Sequence, residues 1–225
     1  MIVVTGASKG LGAAICDRLV DGGHEVYGLA RDVVDLRSDG QSCDVRSYEE
    51  LRSVARHLKA KKVDVTGLVN SAGVASLNLA LTTPPHVTET IVNTNLLGTI
   101  FSCQVFAPIM IRQKHGSIIN FSSLAVKLGL MGESVYAASK AGIETFSRVF
   151  AKEVSSFGIR VNCISPGPIR TDLLKNVSNE EIERTVSGQI IRKQFEPSDV
   201  CDLVEFLLGP KSRSLSGQVL MVGGA

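Results

Sequence analysis

The chain has 225 residues and a formal net charge of +2, from 24 basic and 22 acidic residues. The basic residues form no long run, which gives little support to a nucleic-acid-binding or membrane-surface protein. Hydrophobic residues make up 44% and aromatic residues 5% of the chain, a composition typical of helices packed on a buried aliphatic sheet. No linker rich in Pro, Ser or charge divides residues 1–225, so we expect a single domain.

The five cysteines are widely spaced and lie in apolar segments. They form no Cys-x-x-Cys pair and have no histidine at metal spacing, so we expect buried thiols in a reducing compartment and no metal site. The chain opens on Met1-Ile-Val-Val, directly into an apparent strand, and we expect no apolar run of about 18 residues. These features predict a soluble, cytoplasmic protein with no signal peptide and no membrane span.

The first elements of secondary structure are easily recognised in the sequence. A short buried strand is predicted at 2–5, and after a glycine-rich turn an apolar helical pattern runs from Leu11 to Val20. Gly22-Gly23 suits the end of that helix. A second strand is predicted at 24–30, whereas the short polar segment 32–41 shows no convincing helix.

Helix and strand signals continue through the rest of the chain. Ser47 is predicted to cap a helix to about Leu58, with Glu50 at the capping-box position. A strand at 63–70 follows, and Pro84-Pro85 begins a long helix. The remaining predicted elements are that helix to about Arg112, a strand at 117–121, a helix containing Tyr136 that runs to about Phe157 and ends at Gly158, a strand at 159–164 closed by the turn Ser165-Pro-Gly-Pro168, a helix capped by Ser198 that runs to Leu208, and a strand at 218–222.

Strands that alternate with helices imply right-handed crossovers between parallel strands. The predicted fold class is therefore α/β. We expect a Rossmann-like, doubly wound three-layer αβα sandwich around a mostly parallel seven-stranded sheet.

A glycine-rich turn, Thr5-Gly-Ala-Ser-Lys-Gly-Leu-Gly12, lies between the first strand and the first helix. At this place in an α/β sheet the pyrophosphate of a dinucleotide meets backbone N–H groups and the positive end of a helix. The alternative is that Gly6, Gly10 and Gly12 only permit a tight connection. The position after the very first strand favours a nucleotide site.

The end of the second strand reads Leu29-Ala30-Arg31, where the adenosine ribose of a bound dinucleotide would be recognised. Arg31 offers a guanidinium suited to a 2′-phosphate, and Lys9 would approach from the glycine turn. Two such cations favour NADP(H). Asp32 is a competing signal, so NAD(H) stays an alternative, and either cation by itself is commonly a solvated surface charge.

Tyr136 and Lys140 are four residues apart, so on a helix their side chains share one face. Ser123 ends the apolar run Ile118-Ile-Asn-Phe-Ser-Ser123 and lies at the end of a predicted strand. Together these residues could hold and protonate a carbonyl oxygen. The alternative is a solvated helix pair, which the added serine at the strand end makes the weaker interpretation. Asn95, taken by itself, favours a structural role in which it pins backbone.

The whole set of motifs resembles the short-chain dehydrogenase/reductase family and is similar to its 3-oxoacyl-carrier-protein reductase branch. The resemblance covers essentially all 225 residues. It rests on Thr5-Gly-x-x-x-Gly-x-Gly12, Asn70-Ser-Ala-Gly73, Asn95 in Asn93-Thr-Asn-Leu-Leu-Gly98, Ser123, Tyr136-x-x-x-Lys140 and Pro166-Gly-Pro-Ile-Arg-Thr171.

The resemblance implies a catalytic tetrad of Asn95, Ser123, Tyr136 and Lys140. Tyr136 would be the general acid for reduction and the base for oxidation, and since a phenol has a pKa of about 10, Lys140 and the oxidised nicotinamide would lower it. Ser123 would hold the substrate oxygen as charge develops on it. Lys140 would also bind the nicotinamide ribose, and Asn95 would anchor a water that links the lysine to solvent.

The residues expected to bind the cofactor lie in the glycine turn, at the ends of the second to fourth strands and in the segment after the sixth strand. They are Gly6, Ser8, Lys9, Gly10, Leu11, Gly12, Arg31, Asp44, Val45, Asn70, Ala72, Gly73, Tyr136, Lys140, Pro166, Gly167, Ile169 and Thr171. The resemblance gives Asp44 and Val45 a contact with adenine, where the alternative is an exposed acid in a turn. It also implies that 166–171 closes over the nicotinamide and that 172–196 forms a substrate lid.

Three departures from the family pattern stand out. Residues 32–41 lack the usual helix, Ser71 stands where asparagine is commoner, and the chain ends Val222-Gly-Gly-Ala225 rather than Val-Asp-Gly-Gly. The last change puts a C-terminal subunit contact in doubt.

The expected function is hydride transfer between NADP(H) and a small-molecule ketone, 3-oxo group or secondary alcohol. The alternative is a catalytically silent NAD(P)-binding regulatory or scaffold protein of the same fold. The resemblance further implies a homodimer or homotetramer, assembled through the two long helices at 85–112 and 133–157.

Overall fold

The computed structural model describes residues 1–33, 36–171 and 177–225. Within these ranges seven strands form one sheet in the order β3-β2-β1-β4-β5-β6-β7, and each neighbouring pair is parallel. The strands are β1 Ile2–Thr5, β2 Val26–Ala30, β3 Asp39–Ser42, β4 Gly67–Asn70, β5 Gly116–Phe121, β6 Ile159–Pro166 and β7 Val219–Val222. The predicted Rossmann-like doubly wound α/β fold is confirmed, with a sheet that is parallel throughout the described chain.

Helices cover both faces of the sheet. They are α1 Gly10–Asp21, α2 Tyr48–Ala60, α3 Pro85–Ile91, α4 Gly98–Gln113, α5 Ala125–Leu128, α6 Ser134–Val154, α7 Asn179–Ser187 and α8 Pro197–Leu208. Short 3-10 turns lie at Ala80–Thr82, Ser155–Phe157 and Pro210–Ser212.

The alternating side chains of β1 show how the two faces are packed. Val3 belongs to the core beneath α2, α4 and α6, whereas Ile2 and Val4 face the core beneath α1 and α8. Leu51 and Ile15 are fully buried on these opposite faces. Because burying one such side chain stabilises the fold by about 1.5–3 kcal/mol, the sheet is held from both sides.

Two helix starts differ from the sequence prediction. Ser47 caps α2 by accepting a hydrogen bond from the Glu50 N–H, as predicted, but the Glu50 carboxylate accepts from the Asp44 N–H instead of closing a capping box. For α8 the predicted cap Ser198 is wrong. Glu196 caps that helix together with Asp199, because the fixed φ of Pro197 suits the first helical position.

The predicted long helix after Pro84 contains a wider turn. A π-helical segment, Val92–Leu97, joins α3 to α4, and Asn95 lies in it. Such one-turn insertions in α-helices are frequent at functional sites.

By length and composition, the stretch Pro85–Gln113 could cross a membrane, since its mean hydropathy reaches 1.4. The stretch is not a continuous apolar run, because Asn95, Ser102 and Gln104 interrupt it, so the expectation that no such run occurs stands beside this average. Half of the apolar window is buried inside the protein, and Cys103, Phe106 and Met110 are fully buried in the core. Packing against the sheet accounts for the apolar character of this helix.

The parallel register brings the carboxyl ends of the central strands to one edge of the sheet. Thr5 pairs with Asn70, Asn70 with Asn120, and Asn120 with Cys163. The connections that follow β1, β4, β5 and β6 therefore meet at this edge, where ligands of open parallel sheets bind.

Candidate active site

The glycine turn after β1 is packed against the connection after β4. A Cβ atom on Gly12 would lie 2.2 Å from the Gly6 carbonyl oxygen, and one on Gly6 would lie 2.7 Å from the Ala72 Cα. Gly6 and Gly10 also have φ angles of 70° and 58°, which favour glycine. The tight connection between β1 and α1 is therefore sufficient reason for glycine at these positions, which agrees with the interpretation that needs no bound nucleotide.

The same turn also presents the start of α1. Lys9 precedes the helix with no side-chain cap, and the first turn carries no acidic residue. The first N–H groups of α1 are thus left without a side-chain acceptor from the capping residue, next to a backbone free of bulky side chains. This is the environment in which a phosphate group binds.

Charged side chains gather at the ends of β2 and β3. Arg31 and Lys9 are exposed, and the Ser42 hydroxyl donates to the Arg31 carbonyl oxygen at 3.0 Å. The Asp44 carboxylate pairs with Arg46, whose Nη2 lies 2.5 Å from Oδ2, and this pairing is the main reason that the Asp44 pKa is lowered. The charge of Arg31 lowers the same pKa to a smaller extent. Besides Arg31 and Lys9, Arg46 is therefore a third cation at this corner, and sequence reasoning missed it.

The Val45 side chain faces the protein interior. It is 8% exposed, and its Cγ2 atom lies 2.7 Å from the place of a Cβ on Gly98. Any adenine contact by Val45 would therefore come from its backbone.

The side chain of Asn70 is hydrogen-bonded inside the core, so the expected contact of this residue with the cofactor stays a prediction for its backbone. Its Nδ2 donates to Asn120 Oδ1 at 2.8 Å and to Cys103 Sγ at 3.4 Å, and the residue is 3% exposed. Asn120 continues this network to the Ser147 hydroxyl at 2.8 Å. Asn70 points into the core because it lies on the same sheet face as Leu68, two residues earlier. It joins β4 to its neighbours instead of facing the cleft.

Asn95 is fully buried and fastens the connection after β4. Its Oδ1 accepts from the Val74 N–H at 2.8 Å, and its Nδ2 donates to the Val74 carbonyl at 2.9 Å and to the Ser139 hydroxyl at 3.1 Å. These side-chain contacts are the ones expected if Asn95 has a structural role and holds the backbone in place. They tie 71–74 to α6.

Lys140 is buried beside this connection. The residue is 6% exposed, its Nζ donates to the Phe121 carbonyl at 2.9 Å, and that Nζ lies 5.7 Å from the centre of the Tyr136 ring. A Cβ on Gly73 would lie 3.6 Å from the same Nζ. Glycine at this position therefore keeps one side of the ammonium group uncovered.

Ser123 lies between β5 and α5 and is hydrogen-bonded to Tyr136. Its hydroxyl also accepts from the Ala125 N–H at 3.2 Å. The structure therefore brings together Ser123, Tyr136 and Lys140 as the sequence predicted, with Asn95 linked to them through Ser139.

Burial acts in opposite directions on the pKa values of Tyr136 and Lys140. Burial raises the pKa of Tyr136 to about 12, the hydrogen bond with Ser123 opposes this rise, and the Glu133 charge adds to it. Burial likewise lowers the pKa of Lys140 to about 8. Loss of hydration therefore outweighs the opposing contacts in the polypeptide without cofactor, and the lowering expected from Lys140 together with the oxidised nicotinamide stays a prediction for the cofactor-bound enzyme.

The segment after β6 is held on several sides. Gly167 donates its N–H to the Val222 carbonyl, and Leu124 donates to the Pro166 carbonyl. Phe195 donates its N–H to the Pro168 carbonyl and accepts from the Arg170 N–H, both at 3.0 Å. Ile169 is 7% exposed, so its side chain belongs to the core, and the Thr171 hydroxyl bonds the Ile169 carbonyl at 3.4 Å.

Part of the expected lid, residues 172–176, lies outside the described residues. The rest contains α7, which begins with a capping box between Ser178 and Glu181. Glu181 raises the pKa of Glu133, after the larger effect of burial, so the charge of α7 acts on a residue beside Tyr136.

Sequence reasoning also missed a buried polar pair behind Lys140. The Ser122 hydroxyl donates to Glu144 Oε1 at 2.7 Å, and both residues are at most 6% exposed. The signal was present in the sequence, because Glu144 follows Lys140 by one helical turn and Ser122 precedes Ser123.

Comparison with known proteins agrees with this geometry. The family profile described as short chain dehydrogenase matches residues 1–182. The chain is 34% identical over 229 residues to carbonyl reductase family member 4 of Xenopus laevis, covering 98% of this chain and 95% of that protein. It is 34% identical over 230 residues to the 3-oxoacyl-(acyl-carrier-protein) reductase of Homo sapiens, with coverage of 98% and 95%.

A solved structure shows the same architecture. The ligand-free aldohexose dehydrogenase of Thermoplasma acidophilum aligns with a TM-score of 0.90 at 27% identity, covering 99% of this chain and 92% of that one. The resemblance inferred from the motifs is confirmed. This chain belongs to the short-chain dehydrogenase family, and it is an oxidoreductase of the dehydrogenase and reductase class.

Proposed function

We propose that this enzyme transfers a hydride between NADP(H) and a ketone or 3-oxo group, or the corresponding secondary alcohol. The observation that carries the proposal is the meeting of Ser123, Tyr136 and Lys140 at the carboxyl edge of the sheet, beside the glycine turn. The bound nicotinamide supplies the hydride. The polypeptide supplies position, a proton and charge.

The residues around the cleft suit a dinucleotide. The uncapped start of α1 fits a pyrophosphate, and Gly73 leaves the Lys140 ammonium within reach of a ribose hydroxyl. Backbone groups of Ala72, Val45 and Ile169 are the parts of those residues that would contact the cofactor. The side chains of Val45 and Ile169 can therefore stay in the core when a cofactor binds.

Tyr136 is the proton donor in the proposed reduction. With a pKa raised to about 12, its phenol stays protonated at neutral pH, as an acid must before it protonates a developing alkoxide. Ser123 holds the same oxygen by a hydrogen bond. In the oxidative direction Tyr136 has to lose its proton, which the cationic Lys140 and oxidised nicotinamide would assist. The oxidation rate is therefore expected to rise with pH.

Segments that contact one another ahead of α6 and after α7 carry exposed apolar side chains, and we propose that they form the rim of the substrate approach. Asn78 donates its N–H to the Gly132 carbonyl at 2.9 Å, four residues before Tyr136, and a Cβ on Gly132 would lie 3.3 Å from Leu77. On the other side, Leu128 contacts Gly188. Exposed apolar residues of these segments are Leu77, Leu79, Leu81, Met131, Ile190 and Ile191. This rim favours carbonyl substrates with an extended apolar group over polyhydroxylated sugars.

A substrate screen tests the proposed function. NADPH oxidation is measured with diketones, quinones, acyl thioesters and keto sugars, and we expect turnover with apolar carbonyls at least about tenfold above that with sugars, since one or two buried methylenes give that ratio. Binding of NADPH without turnover across the whole panel would instead support the regulatory alternative.

Arg31 is proposed to select NADP(H) through the 2′-phosphate. Arg31→Ala is expected to raise the KM for NADPH by about tenfold, the effect of one charge-assisted contact, and to leave the KM for NADH nearly unchanged. Arg213→Ala, also at an exposed arginine, is the control. An equal effect on both cofactors, or a wild-type preference for NADH, would contradict this selectivity.

The assembly and compartment are proposed from the resemblance and composition. We propose a homodimer or homotetramer that contacts through α4 and α6, and sedimentation equilibrium would distinguish these states from a monomer. All five cysteines, which lie in the described ranges, are free and buried. Free, buried thiols are consistent with the proposed cytoplasmic location. We further propose a small-molecule substrate and a substrate lid over 172–196.

A further inference from the structure

Gln189 is a buried amide that follows α7 and contacts three separate segments. It is 2% exposed, and its Nε2 donates to the Lys193 carbonyl at 2.9 Å and to the Ile191 carbonyl at 3.4 Å. Its Oε1 accepts no hydrogen bond from the part of the chain that the structure describes. An unpaired buried amide oxygen is costly, so its placement requires a structural account.

The Oε1 atom fills the space beside two glycines. A Cβ on Gly167 would lie 1.8 Å from it, and a Cβ on Gly223 would lie 2.7 Å from it. Gly223 also has a φ of 99°, which itself favours glycine. No positive φ requires glycine at 167, so the constraint on this position is the Gln189 amide, which would have to shift to admit a Cβ.

Backbone hydrogen bonds join the same segments around Gln189. Ile191 donates its N–H to Gly223 at 2.9 Å, and Gly167 donates to Val222 at 3.1 Å. Phe195 donates to Pro168 at 3.0 Å. The segment after β6, the segment after α7 and the C-terminal residues thus form one packed unit with Gln189 at its centre.

We propose that Gln189 is a positioning residue for the nicotinamide-binding segment 166–171. It holds Gly167 against Gly223 and joins residues 190–193, which follow α7, to both. The atypical ending Val222-Gly-Gly-Ala225 then has a role within the subunit, because Gly223 makes room for the Gln189 amide. This proposal rests on the proposed function for its cofactor readout, although the packing it describes can be measured without cofactor.

The first test replaces Gln189 by leucine, which has similar volume and no amide. Gln189→Leu is expected to raise the KM and the dissociation constant for NADPH by about tenfold, the effect of losing one or two buried hydrogen bonds. The KM for the carbonyl substrate should change less, and the pH profile set by Tyr136 should stay in place. Gln218→Leu, at an exposed glutamine, is the matched control. Cofactor constants within about twofold of wild type in a folded Gln189→Leu protein would overturn the proposal.

A double-mutant cycle keeps the proposal testable if Gln189→Leu does not fold. Gly167→Ala should weaken NADPH binding because its Cβ meets the Gln189 amide, and adding Gln189→Ala should restore part of that loss by opening the space. Additive effects of the two substitutions would overturn the proposal.

Hydrogen exchange separates this proposal from the proposed function. In the protein without cofactor, Gln189→Leu is expected to speed exchange at the amides of Gly167 and Ile191, whereas Gln218→Leu leaves them unchanged. If wild type binds neither NADPH nor NADH, the proposed function fails while this exchange result still supports the packing role. Unchanged exchange at both amides would overturn it.

Discussion

Tyr136→Phe is expected to lower kcat by about 10²–10⁴-fold while NADPH binding stays close to wild type. The substitution removes only the hydroxyl that donates the proton, and the Phe ring keeps the packing next to Lys140, whose Nζ lies 5.7 Å from the ring centre. Turnover with the best carbonyl of the screen and a fluorescence titration with NADPH measure the two quantities.

Tyr48→Phe is the matched control for this substitution. Tyr48, at the start of α2, is 38% exposed and packs edge-on against Phe101 of α4. We expect its kcat to equal that of wild type. Near-normal turnover of Tyr136→Phe would remove the proposed acid from the reaction, and a parallel loss in Tyr48→Phe would indicate an effect on the fold.

Lys140→Met is expected to inactivate the enzyme and at the same time to stabilise it. Lys140 is 6% exposed and its pKa is lowered from 10.5 to about 8, so its charged form is disfavoured in the folded protein at pH 7. Removing this buried cation should raise the free energy of unfolding by about 1–2 kcal/mol, after the loss of the bond to Phe121 is subtracted. Denaturant unfolding at pH 7 measures the change.

The contribution of Lys140 to the free energy of unfolding is expected to change with pH in a definite direction. Between about pH 8 and 10.5 the unfolded chain keeps the proton of Lys140 longer than the folded protein does, so this residue makes wild type more stable as pH rises. Tyr136 and Cys163, whose pKa values are both raised to about 12, act in the opposite direction at high pH. The difference between wild type and Lys140→Met should therefore shrink from pH 8 upward.

Lys152→Met, at an exposed lysine on the same helix, is the control and should change the free energy of unfolding little. A Lys140→Met protein that is less stable than wild type at pH 7 would show that the buried ammonium group is well compensated by its contacts.

Much of the site could be predicted from the sequence because its residues lie close to the ends of recognisable elements. The four-residue spacing of Tyr136 and Lys140 places both on one helix face, and the apolar run before Ser123 ends at the strand edge. Parallel strands bring such ends together, so the meeting of these residues with the glycine turn follows from element order.

The direction of single side chains was less predictable. The sequence did not predict that the Asn70 side chain turns into the core toward Asn120, which follows from the period of two along β4. Nor did it predict that burial of the phenol raises the Tyr136 pKa in the protein without cofactor. Both depend on what packs from distant parts of the chain.

The sequence by itself determined the fold class, the order of the strands and helices, and the acid, the cation and the hydroxyl at the reacting end of the site. These follow from local periodicity, glycine positions and short spacings. Only the tertiary structure decided that Asn95 is hydrogen-bonded to the Val74 backbone, that Arg46 forms an ion pair with Asp44, and that Gln189 lies between Gly167 and Gly223. Those contacts join residues far apart in the chain, and their geometry is set by close packing around a buried atom, for which no local pattern carries a signal.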